Sequence, residues 1–133
     1  MYDLQSLGKL EYRLVQEWEV IKKDLTNPEN IFAFDSHSSL SRLWVIAGYE
    51  FLRQISKSDK RPEVEDAHEL FRRVRVPMVK YESPDDRNGI SYAADFGMAL
   101  LALSQDTQDV GWAVAPEVFI SRNDLASALY NLY

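Results

Sequence analysis

The stretch Leu40-Ser-Arg-Leu-Trp-Val-Ile-Ala-Gly-Tyr-Glu-Phe-Leu-Arg-Gln-Ile55 decides the fold class. Ten of its sixteen residues are apolar, and Arg42, Glu50, Arg53 and Gln54 form only a narrow polar strip. A helix that is apolar on most sides belongs in the interior of a bundle. Gly48 costs such a helix about 1 kcal/mol relative to alanine, so the spacing predicts a neighbouring element close against it.

Working outward towards the N-terminus, Ser36-His-Ser-Ser-Leu-Ser41 reads as the cap of this central helix, because serine oxygens satisfy exposed helix-start N–H groups. Ile31 to Phe34 is an apolar run, open between an edge strand and a buried connector. Leu4, Leu7, Leu14, Trp18, Ile21 and Leu25 recur at helical spacing and predict a long amphipathic helix over residues 3–25. Asn27-Pro28 should end it, since the residue before a proline is pushed out of the helical region.

Towards the C-terminus, Pro62 suits the first turn of a second long helix. Val64, Ala67, Phe71, Val74, Met78 and Tyr81 form its apolar stripe, which passes through Pro77, where a kink or break is expected. Residues 82–89 are loop-like. Residues 90–104 fit helix or strand; a hairpin with Val110 to Ala115 and a third strand at Val118 to Ile120 is the preferred reading. Ser121 with Asp124 matches a capping box that opens a last helix through Leu125, Leu129 and Leu132. The expected fold is mainly α (α+β). It is a compact bundle of three to four helices with a small antiparallel β element in the C-terminal third, a single domain over residues 1–133.

Composition removes several function classes. With no cysteine there is neither a disulfide nor a thiolate metal site or nucleophile. The longest apolar run, Leu43 to Tyr49, is far short of the ~20 residues that cross a bilayer. The start, Met1-Tyr-Asp-Leu-Gln5, lacks the basic and apolar regions of a signal peptide. The chain therefore reads as soluble and cytoplasmic, with no membrane. The net charge of −6 argues against a generic phosphate binder. Yet residues 53–80 hold eight Lys or Arg against five Asp or Glu, whereas the rest holds seven against sixteen. Such segregation points to a partner surface.

Arg61 and His68 are separated by six residues, a spacing that resembles the Arg-x4-6-His signature of the HEPN family. Those proteins are small helical bundles that often dimerise and cleave RNA without metal. The resemblance implies histidine acting in proton transfer at the ribose 2′-hydroxyl and arginine stabilising phosphate charge, with Arg72, Arg73 and Arg75 holding the RNA backbone. The plainer reading of His68 is a polar residue at the core boundary. Glu65 and His68 form one Glu-x-x-His without the second copy that a di-iron bundle needs. His68-Glu69 has no second histidine at position 72, so the metalloprotease helix fails as well. No Gly-x-Ser-x-Gly elbow surrounds the serines near His37, and the five glycines make no phosphate loop.

The expectations are accordingly these. The leading one is a noncatalytic helical protein acting through protein–protein interaction, with a protein partner and self-association, no metal and no cofactor. Its candidate binding residues are Arg72, Arg73, Arg75 and Lys80. That cluster has three readings: a solvated face paired with Glu69, a contact for an acidic protein surface, or a phosphate site. The alternatives are a HEPN-like ribonuclease using Arg61 and His68, with RNA as partner, and an acidic inhibitor or accessory factor of a nucleic-acid-handling complex.

Overall fold

A computed structural model describes residues 4–24, 27–80, 100–103, 109–115 and 118–132. In order they form α1 (Leu4–Ile21), α2 (Pro28–Ile55), α3 (Pro62–Lys80), β1 (Leu100–Leu103), β2 (Val110–Ala115), β3 (Val118–Ser121) and α4 (Arg122–Tyr130). The fold is mainly α with a small antiparallel sheet in the C-terminal third, as expected. Contacts group into two compact units, Met1–Phe51 and Leu52–Tyr133, divided within α2.

In the first unit, α1 buries Leu7, Leu14, Trp18 and Ile21, which are the core of the predicted seam. The following helix begins earlier than the serine run suggested. Asn27 Oδ1 accepts the Glu29 N–H at 3.0 Å, Pro28 occupies the first turn, and Glu29 complements the helix dipole there. Ile31 to Phe34 is thus helical, and the serines lie in the helix interior rather than at a cap. Ser38 Oγ donates back to the Phe34 carbonyl at 2.9 Å, which is how a serine is accommodated in mid-helix. Two contacts set α1 and α2 antiparallel: the Trp44 indole N–H donates to the Leu7 carbonyl at 3.1 Å, and Trp18 meets Phe34 and His37. Gly48 is buried.

In the second unit, α3 starts as predicted. The Arg61 carbonyl accepts from Val64 and Glu65, and Glu63 and Glu65 occupy the first turn. Val64, Ala67, Phe71 and Val74 are all buried. Of the kink or break expected at Pro77, the break is absent, because α3 is one helix to Lys80. Proline removes a single backbone bond, and a helix already anchored by a buried stripe survives that loss.

The strands pair antiparallel in the order β1-β2-β3. Leu103 pairs with Val110 and Leu100 with Ala113, so the preferred hairpin exists over residues 100–103, while residues 90–99 lie outside those described. β2 turns Val110, Trp112 and Val114 into the core. A Cβ at Gly111 would collide with the Ile120 carbonyl and lie 2.7 Å from the Phe119 ring, so this close strand approach requires glycine. The Ser121–Asp124 capping box is present in full: Ser121 Oγ accepts the Asp124 N–H at 2.9 Å, and Asp124 Oδ2 accepts the Ser121 N–H at 3.1 Å. α4 then packs on α3 and on the sheet.

Candidate functional site

α3 carries every residue singled out for chemistry except Arg61, which immediately precedes it. Its charges are ordered along the axis: Glu63, Glu65, Asp66 and Glu69 come first, and Arg72, Arg73, Arg75 and Lys80 follow. This order complements the helix dipole, with acids near the N–H end and bases near the carbonyl end. It also makes α3 a rod of opposite charge at its two ends.

Arg61 lies at the acidic end. Its Nε and Nη2 donate to the Asp59 carboxylate at 3.1 and 2.9 Å, and its Nη1 donates to the Leu132 carbonyl at 3.3 Å. The Arg61 side chain and backbone N–H together hold the Asp59 carboxyl below its ordinary value of 3.8. Arg61 therefore ties the start of α3 to the chain just past α4. His68 is half-buried and starts about 10 Å further along the axis, seven residues at 1.5 Å each. In one chain these two residues belong to different turns.

The arginine cluster differs from a solvated face. Arg72 has a side chain only 5% exposed, and its fork grips Glu69 with Nε–Oε2 at 2.8 Å and Nη2–Oε1 at 2.7 Å. A bidentate pair one turn apart is the geometry that makes a buried guanidinium tolerable. Arg73 Nε lies 3.6 Å from the same Glu69 carboxylate, an ionic contact without hydrogen-bond geometry. Arg75 is half-buried and its Nε is shut off from solvent. Lys80 closes the helix, and its side chain lies outside those described. One carboxylate thus draws on two of the four proposed binding residues, and only Arg73 of that pair reaches a surface cleft.

That cleft is a cavity of about 200 Å3 lined by Asp66, Glu69, Leu70 and Arg73. At 100° per residue these four occupy an arc of about 100° on the helix, turned away from the buried stripe. Asp66 is exposed and forms no ion pair among the described residues, and Leu70 is half-buried. Neither stood out in the sequence, although their spacing of four, with Arg73 three further on, marks one helix face. The arrangement can seat an apolar side chain between an acid and a base.

No known protein family matches this chain, and no curated protein or solved structure is significantly similar to it. The Arg61–His68 spacing accordingly remains a resemblance in two residues. Among the described residues, no group of three or more His, Asp or Glu side chains is placed to hold a metal ion. No described helix is long and apolar enough to cross a membrane.

The other histidine belongs to the interior. His37 is 0% exposed and stacks on Trp18 with ring centroids 5.8 Å apart at 25°, while Ser41, one turn on, is equally buried. The Ser36 to Ser41 run thus surrounds a core histidine, not an accessible base.

Proposed function

We propose that this chain is a noncatalytic protein that works by binding another protein, with the cleft beside Asp66 and Leu70 on α3 as its contact site. One observation carries the reading: the cleft that places Leu70 between the exposed acid Asp66 and the base Arg73. Interfaces are built in this manner, with an apolar anchor inside a charged rim. The Glu69 carboxylate partly neutralises Arg72 and Arg73, which weakens any attraction for a phosphate backbone and favours a protein over a nucleic acid. The reading places the protein in the cytoplasm, which a cysteine-free chain suits.

Affinity capture and sedimentation of the wild type beside Leu70→Glu test this proposal. Wild-type protein should hold a specific protein partner, either another chain or itself, and Leu70→Glu should release it while keeping its circular dichroism. A wild type that sediments as a lone monomer at high concentration and captures nothing overturns the reading.

A further inference from the structure

We infer that two copies of this chain associate through an outer strip of α2, antiparallel about a two-fold axis at Leu43. This goes beyond the cleft on α3, and neither site depends on the other. A mismatch between composition and burial carries it. From Leu40 to Ile55, α2 is apolar on most sides, which suits a helix enclosed by neighbours all round. In the first unit, α1 packs on the side of His37 and Trp44, both fully buried. At 100° per residue, Ser36, Ser39, Leu43, Ile46 and Glu50 fall within an arc of about 80°, centred about 130° from those two. None of the five is buried, and Leu43 in their midst is 56% exposed. The strip is open, with a leucine standing out of it.

The order of residues along the strip selects a second copy as its occupant. A two-fold axis at Leu43 brings the two Leu43 side chains together at the centre, where interface anchors concentrate. Ser39 then lies beside the partner's Ile46, within about one residue's rise of 1.5 Å, and Ser36 lies level with the partner's Glu50. A serine hydroxyl donates to a carboxylate, and an isologous contact forms that pair twice. The strip thus carries its own complement, with hydroxyls at one end, an acid at the other and a leucine between. A parallel arrangement would instead oppose Glu50 to Glu50, and like charges across an interface are strongly disfavoured. Four helices would follow one another as α1, α2, α2 and α1, which gives α2 the interior place that its composition calls for. The strip is about 21 Å long, so the contact belongs to the small and weak class of interfaces. Dimerisation in the micromolar range is expected.

Leu43→Arg supplies the first test, because it sets two introduced cations face to face. It should weaken self-association in sedimentation equilibrium at least about ten-fold. Since Leu43 is 56% exposed, the circular dichroism of the variant should match that of the wild type. Thiols test the direction, as the native chain has no cysteine. A short cross-linker should join Ser36→Cys to Glu50→Cys chains in an equimolar mixture at least about ten times faster than it joins Ser36→Cys chains to one another. In the antiparallel pair, the two introduced thiols of Ser36→Cys are about 21 Å apart along the axis. Equal rates, a wild type that stays monomeric, or a Leu43→Arg variant that dimerises like the wild type overturn the inference. Leu70→Glu separates it from the cleft and should leave the dimer intact. Self-association that Leu70→Glu abolishes and Leu43→Arg preserves overturns the α2 strip and moves the second copy to the cleft. A dimer lost in Leu43→Arg, with no partner released by Leu70→Glu, supports the strip and removes only the cleft reading.

Discussion

The two units bury polar side chains in opposite ways. The first encloses His37, whose ring stacks on Trp18, and Ser41 one turn further on. The second encloses Arg72, whose charge persists at any ordinary pH and must be answered by Glu69. A polar ring held by stacking can be replaced by another ring. A buried guanidinium that loses its bidentate carboxylate keeps a charge that its surroundings must still satisfy.

The sharpest way to break this contrast is Glu69→Leu, which takes away the bidentate acceptor of buried Arg72 and should cost about 3–5 kcal/mol in urea denaturation. Adding Arg72→Met should recover most of that loss, since an apolar pair needs no compensation. If the double variant stays as unstable as the single one, the ion pair is not what holds this region. In the first unit, His37→Ala opens a hole beside Trp18 and should cost about 2–4 kcal/mol, by the measure of large-to-alanine core changes. His37→Phe, which keeps a ring, should cost markedly less. Equal losses would mean that a polar contact of His37, and not its stacking, is what matters.

Smaller effects test the ends of α3 and α4. Ser121→Ala removes half of the capping box and should cost about 1 kcal/mol, measured against wild type by thermal unfolding. The Asp59–Arg61 pair should contribute least. Because the folded state holds the Asp59 carboxyl below 3.8, its contribution is present above that pH and is lost as pH falls through the folded value. Asp59→Asn should therefore flatten the acid limb of the stability curve below about pH 3.8 and leave its shape between about pH 5 and 8 unaltered. Incubation with RNA in chelator probes the Arg61–His68 spacing directly. No cleavage that depends on both residues is expected, and loss of cleavage in both His68→Ala and Arg61→Ala would replace the binding reading with the nuclease one.

Several elements were legible because their cause is local. The α1 seam, Pro62 at the start of α3 and the Ser121–Asp124 capping box each lie within a few residues of what they determine. The start of α2 was not legible. A serine can cap a helix or bond back into one, and only the Asn27 cap with Pro28 and Glu29 makes the longer helix continuous through Ser36 to Ser41. The site was legible to a similar degree. Arg72, Arg73 and Arg75 were visible as charges, but their different burial depends on what packs around each of them in the folded chain. Asp66 and Leu70 were ordinary residues until the helix and its cleft placed them beside Arg73.

The amino-acid order alone therefore determined the helical class, the starts of α3 and α4, and the reversal of charge along α3, since each follows from spacing and backbone chemistry. Tertiary structure decided that Arg72 turns inward to Glu69 while Arg73 borders a cleft. Burial is a property of the surfaces that meet around a side chain, and one helix read in isolation does not contain them.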